Sequence, residues 1–188
     1  ITGGSSGIGL EMARIFAGRG AHLVLLARNR QKLEGAVRSV EESRLSPGQK
    51  IASLSVDVAD PADVEGKMAA AVKEYGPPDI LVCSAGINKH ADHFENITYG
   101  MFDEVMKTNV YGPRTMIHTL LPAMKPRKGH VVILSSAAGL FGMFGYTAYG
   151  TSKAALLGLA DSLRYELRPL GMKVTVVCPP EVDTPMNL

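Results

Sequence analysis

Short apolar runs alternate along this chain with longer stretches in which apolar residues recur every three or four positions. The runs at 22–27, 51–56, 80–84, 130–135 and 173–178 are rich in Val, Ile and Leu, as parallel strands covered on both faces tend to be. Helical patterns fill the intervals. Ile8, Met12, Ile15 and Phe16 share one apolar face, with Gly20 placed to close the helix. Asn29 is a capping residue for a second helix, whose face is Leu33, Ala36, Val37 and Val40. Asp60-Pro61-Ala62-Asp63 opens a third with a cap, a proline at the first helical position and an acid in the first turn. Its inward face is Val64, Met68, Ala71, Val72 and Tyr75. Further helical patterns run over 99–124 and 148–168. This alternation predicts one α/β domain, a Rossmann-type doubly wound parallel sheet in three layers, α/β/α.

A Gly-rich run, Thr2-Gly3-Gly4-Ser5-Ser6-Gly7-Ile8-Gly9, precedes the first helix. In a strand–turn–helix setting Gly3 permits the tight turn, Gly7 lets backbone approach a pyrophosphate, and Gly9 permits close helix packing. The N-terminus of the following helix offers amide donors and the positive end of a dipole, so Ser5, Ser6 and Ile8 join the candidate dinucleotide site. Such a run normally follows a buried strand, yet here it begins at the second residue. The pattern therefore predicts an apolar β segment before Ile1 and a further segment beyond Leu188.

The end of the second strand bears on which dinucleotide is bound. An NAD site places an acid about 20 residues on, where it accepts bonds from the ribose hydroxyls. Position 28, nineteen after Gly9, is instead arginine, and Lys32 is close behind. A guanidinium fork suits a 2′-phosphate, which points to NADPH/NADP as cofactor. The other reading of Arg28 is a charge beginning a solvated helix. Asp57, at the end of the 51–56 run, contacts the adenine or caps the next turn. Ala85-Gly86 gives a small surface beside which a cofactor can lie.

Tyr149 and Lys153 stand four apart on a helical pattern, hence on one face, and Ser136 comes thirteen residues before the tyrosine. A phenol ordinarily titrates near ~10, and a neighbouring ammonium favours its ionised form, bringing it toward the working range of a proton donor. The expected chemistry is protonation of a carbonyl oxygen while hydride reaches the carbon beside it.

In order, Thr-Gly-x-x-x-Gly-x-Gly, Asn109 in Asn-Val-Tyr-Gly, Ser135-Ser136 and Tyr149-x-x-x-Lys153 resemble the short-chain dehydrogenase/reductase family over almost the whole chain. The resemblance implies that Tyr149 is the proton donor, that Lys153 lowers its pKa and holds the nicotinamide ribose, and that Ser136 hydrogen-bonds the substrate oxygen. It implies that Asn109 positions a water in a proton relay, and that Val58, Pro179, Val182 and Thr184 lie beside the cofactor, Thr184 against the carboxamide. Ser135 competes with Ser136, and the interval of thirteen favours Ser136. Two departures stand out. Cys83-Ser84-Ala85-Gly86 replaces the family's Asn-Asn-Ala-Gly, removing an asparagine that ties neighbouring strands. Pro179-Pro180 replaces Pro-Gly and stiffens the loop toward the nicotinamide.

Residues 139–149 are unusually apolar; with Ala27-Arg28-Asn29 and 179–185 they are similar to the 3-ketodihydrosphingosine reductases of that family. A small-molecule ketone with a long lipid chain is the implied substrate. Phe141, Met143, Phe144 and Tyr146 would line the chain, unless they pack a core or a subunit interface. Glu181 or Asp183 would pair with an amine or face solvent. Alternatives are a reductase of other specificity (acyl thioester, steroid or sugar) and a non-catalytic NADP-sensing protein. Apolar residues on more than one stripe of the last helix, among them Leu156, Leu159 and Tyr165, suggest a homodimer or homotetramer.

Composition narrows these classes. A net charge of +2 with dispersed Lys and Arg gives no nucleic-acid stripe. No apolar run approaches the roughly 18 residues of a membrane span. The expected location is cytoplasmic, or the cytosolic face of a membrane if sequence beyond the ends carries an anchor. Cys83 and Cys178 read as buried free thiols, and the five histidines show no metal-binding spacing.

Overall fold

The computed structural model describes residues 1–184, so Pro185 of the 179–185 motif lies outside the described residues. The elements follow in the order α1 (Gly7–Ala17), β1 (Leu23–Ala27), α2 (Arg30–Glu41), β2 (Ile51–Ser55), α3 (Pro61–Tyr75) and β3 (Ile80–Cys83). Then come α4 (Tyr99–Met106), α5 (Gly112–Met124), β4 (His130–Leu134), α6 (Thr147–Leu167) and β5 (Lys173–Val177). Each of the five apolar runs forms a strand, and every strand pairing is parallel.

β2 pairs with β1 in one ladder, and β3, β4 and β5 form another. Thr2 joins them, with parallel bridges to Leu26 on one side and Cys83 on the other. Ile1 O accepts from Leu26 N, and Thr2 N donates to Val82 O. The strand order is thus β2-β1-(Ile1–Thr2)-β3-β4-β5. The chain winds outward in opposite directions from this junction, and in open α/β sheets ligands bind at such a switch point. The Gly-rich run leaves the sheet there.

Both faces are covered. Leu25, Ala13, Ala17, Leu33, Ala36 and Val40 pack between β1, α1 and α2. On the other face Leu26, Met68, Leu81, Met116, Ile133 and Leu156 form a larger core under α3, α5 and α6. Adjacent Leu25 and Leu26 point to opposite layers, as a strand requires.

Capping follows the sequence closely. Asn29 Oδ1 accepts from Lys32 N at 3.0 Å, and Asp60 Oδ1 accepts from Ala62 N and Asp63 N. Gly20 closes α1 as expected: at φ +88 it follows the last turn, with Gly20 N donating to Ala17 O and Ala21 N to Phe16 O. Two other expectations are corrected. The 99–124 pattern is not one regular helix, because a π-helical turn over Lys107–Tyr111 separates α4 from α5. Cys83 is buried, but Cys178 is only half-buried. Among the described residues no helix is long and apolar enough to cross a membrane.

Candidate active site

Backbone contact shapes the nucleotide-sized cleft at the sheet junction. Gly3 adopts φ +66, and a Cβ there would lie 2.9 Å from the Ala85 backbone. At Gly9 a Cβ would lie 2.4 Å from Gly3 O, so no larger residue lets α1 start this close to the turn. Ser6, the residue before α1, makes no side-chain cap bond. The first-turn amides of Gly7, Ile8 and Gly9 therefore remain available at a helix N-terminus, the donor set an anionic pyrophosphate needs. The cleft encloses about 630 Å³, including solvent at its mouth. Gly3, Ser6, Gly7, Ile8, Gly9, Ser84, Ala85, Gly86, Pro179 and Thr184 line one part; Leu134, Ser135, Tyr149 and Lys153 line the other. These residues fit a dinucleotide.

Tyr149 and Lys153 reach the cleft from the first two turns of α6, with Lys153 Nζ 5.5 Å from the phenol ring centroid. Ser136 begins the turn after β4; its hydroxyl accepts from Ala138 N at 3.2 Å, and its side chain lies beside the Tyr149 phenol. The serine is thus both turn cap and tyrosine partner. The second part of the site is electrostatic. Burial pushes the Tyr149 phenol above its ordinary value, the Ser136 hydrogen bond acts in the opposite sense, and Tyr146 adds a further rise. The expected lowering by Lys153 is not among the causes of this shift. Burial instead lowers Lys153 itself from 10.5 to about 8. Its ammonium has left water and donates to Leu134 O at 3.0 Å.

Asn109 occupies the π-helical turn and is fully buried. Its Oδ1 accepts from Ile87 N at 2.8 Å, and its Nδ2 donates to Ile87 O and to Ser152 Oγ. The wide turn lets one side chain tie α4–α5 to the segment after β3 and to α6. Such turns recur at functional sites.

Other candidates lie elsewhere. Arg28 and Lys32 are exposed at the end of β1 and the start of α2, and no ion pair involves either among the described residues. Asp57 Oδ1 caps its own turn by accepting from Ala59 N. Val58 is buried where a Cβ on Gly112 would touch it at about 3.0 Å. Ser5 and Val182 are not among the residues lining the cleft. Phe141, Met143 and Phe144 are 60%, 47% and 82% exposed, so they do not pack the core. Their loop is tied to the 88–98 segment, where Asp92 N donates to Gly145 O and the His93 and Phe144 rings meet edge-on at 5.0 Å. Glu181 and Asp183 are exposed. Among the described residues no group of three or more His, Cys, Asp or Glu is arranged to hold a metal.

Sequence reasoning assigned no role to Thr2. Its buried Oγ1 accepts from both Ser84 N and Ala85 N at 3.0 Å. It therefore secures the segment in which Cys83-Ser84 stands for two asparagines, and the local sheet geometry is intact. A hydroxyl amino acid opening the Gly-rich run was the available signal.

The family model for short chain dehydrogenase matches residues 1–188. The chain belongs to the short chain dehydrogenase family. Among curated relatives of this family, a 3-ketodihydrosphingosine reductase from Bos taurus is 41% identical over 187 residues, covering 98% of this chain and 56% of that protein. A 3-dehydrosphinganine reductase from Danio rerio is 40% identical with the same coverage. The chain thus spans little more than half the length of these relatives. Among solved structures, a levodione reductase superposes with TM-score 0.94 at 29% identity, covering 98% of this chain and 71% of that one. An NAD+-bound xylitol dehydrogenase gives 0.90 at 30% identity, covering 95% and 68%. These matches bear out the Rossmann-type three-layer fold.

Proposed function

We propose that the protein is an NADPH-dependent carbonyl reductase that converts 3-ketodihydrosphingosine, or a ketone of the same long-chain amphiphilic class, to the alcohol. The observation that carries the reading is the meeting of Tyr149 and Lys153 at one wall of a cleft whose other wall is the glycine cradle, with Ser136 beside the phenol. When bound, the nicotinamide cofactor supplies the hydride. Ser136 Oγ–H hydrogen-bonds the substrate carbonyl oxygen and holds it at the phenol. Tyr149 Oη–H donates its proton to that oxygen as negative charge develops there. Burial keeps the phenol protonated at neutral pH, the state a donor needs for reduction. Lys153, with an ammonium near its own titration midpoint, stabilises the phenolate left behind and hydrogen-bonds the cofactor ribose. Asn109, anchored at Ile87 and Ser152, orders the water that returns the proton.

Three observations support the finer assignments. Unpaired Arg28 and Lys32 at the end of β1 suit a 2′-phosphate and favour NADPH. Exposed Phe141, Met143 and Phe144, on a loop running into Tyr149, supply apolar contact for an alkyl chain. Relatives named for the sphingoid-base ketone match nearly the whole chain at about 40% identity. On α6, Tyr165 is 81% exposed, which suits assembly with further copies. Steady-state kinetics across a ketone panel test the reading. Preference for the long-chain ketone with NADPH is expected; equal rates on short-chain ketones, or preference for NADH, would overturn the corresponding half.

A further inference from the structure

We propose that Ser135 and Ser152 are positioning residues that set the catalytic turn of α6, each by donating a hydrogen bond to the main-chain carbonyl of a catalytic residue. Ser135 Oγ donates to Lys153 O at 2.8 Å, while Lys153 Nζ donates back to Leu134 O at 3.0 Å. The end of β4 and α6 are thus joined by two bonds of opposite sense within one residue of each other on both elements. Ser152 Oγ donates to Tyr149 O at 2.6 Å and accepts from Asn109 Nδ2 at 3.0 Å. With the two Asn109–Ile87 bonds, this makes a continuous path from the segment after β3 to the backbone of the tyrosine.

Both hydroxyl protons are already given to main-chain carbonyls. Ser135 is 5% and Ser152 0% exposed, and each is committed to backbone. A serine bonding back to the preceding turn bends a helix locally, and here the bond lands on the residue that carries the phenol. Close packing makes the setting rigid. A Cβ at Gly139, which follows Ser136 in the same turn, would lie 2.7 Å from Lys153 C and 2.9 Å from Ala154 N. The serine turn therefore rests backbone-to-backbone on α6, and a shift of either moves Ser136 relative to Tyr149. A misplacement of 1 Å in a reacting constellation costs about 10²-fold in rate.

The inference rests on Tyr149 acting as proton donor, and its test separates the two. In the full chain, Ser135→Ala and Ser152→Ala are compared with Ser135→Thr and with Val40→Ala, a core truncation remote from the site. The serine-to-alanine variants are expected to lower kcat for ketone reduction at least about tenfold, with NADPH Kd by fluorescence kept within about twofold. Ser135→Thr, which keeps the hydroxyl, is expected to recover most of that loss. Val40→Ala should lower the thermal midpoint and leave kcat near wild type. Serine variants with wild-type kcat, or a loss that Val40→Ala reproduces, overturn the proposal. If the wild-type protein reduces no ketone, the enzyme reading itself fails. The positioning claim is then read from the Lys153 titration followed by NMR on 15N-lysine protein: a shifted midpoint in Ser135→Ala supports it, and an unchanged midpoint overturns it.

Discussion

Lys153→Met is expected to make this protein more stable while abolishing its activity. Lys153 is 5% exposed, and among the described residues its ammonium has one protein hydrogen bond, to Leu134 O. The difference between 10.5 and about 8 corresponds to about 3 kcal/mol of penalty on the charged form, at 1.36 kcal/mol per pH unit. Methionine fills a similar volume without that charge, but leaves the carbonyl without this donor, at a cost of about 1–2 kcal/mol. The net gain is about 1–2 kcal/mol, a rise in Tm of about 3–6 °C for a chain this size. The sign with pH follows from proton counting. Between pH 8 and 10.5 the unfolded chain keeps the lysine proton that the folded chain has lost, so wild-type stability rises with pH across that window. Below pH 8 both states are protonated and the full penalty stands. Denaturation of both proteins at pH 7 and pH 10 checks this, because all other titrating groups cancel in the difference. The advantage of Lys153→Met should be present at pH 7 and largely gone at pH 10. A variant less stable than wild type at pH 7, or an advantage independent of pH, would refute the reasoning.

The remaining predictions concern the cradle and the proton donor. Gly9→Ala forces α1 away from Gly3 O and should weaken NADPH binding at least about tenfold while costing about 1–3 kcal/mol of stability, measured by fluorescence titration and urea unfolding. On the proposed NADPH reading, Arg28→Asp would remove a charge-assisted bond to the 2′-phosphate and add repulsion; the NADPH-to-NADH ratio of kcat/KM should fall about 10–100-fold. Ser136→Ala removes the hydrogen bond that lowers the Tyr149 phenol. Besides slowing reduction, it should move the alkaline limb of the pH–rate profile upward, and alcohol oxidation, which needs the phenolate, should slow further at fixed pH.

Much of this was legible in the chain because the informative signals are local. Five Val/Ile/Leu-rich runs became five parallel strands, and Asn29 and Asp60 cap the helices their positions announce. The spacing of Tyr149 and Lys153 depends only on helical geometry, so their shared face followed directly. What escaped reading depends on contacts distant in sequence. The hydroxyl of Thr2 is visible in the Gly-rich run, but its partners, Ser84 and Ala85, lie eighty-two and eighty-three residues away. The π-helical turn at Asn109 was hidden because its residues continue the helical pattern, while the Asn109 bonds that accompany it reach Ile87 and Ser152, distant in sequence. Charge was misjudged for a related reason. An ammonium four residues from a phenol suggests a lowered phenol, whereas burial raises the phenol and lowers the ammonium.

The central claim is that the Tyr149 hydroxyl delivers the proton. Single-turnover oxidation of NADPH by the long-chain ketone, comparing wild type with Tyr149→Phe at matched cofactor occupancy, tests it most directly. The account predicts unchanged NADPH binding and a rate lower by at least about 10²–10⁴-fold, the range general acid catalysis contributes. A Tyr149→Phe protein that turns over within a few-fold of wild type would contradict it.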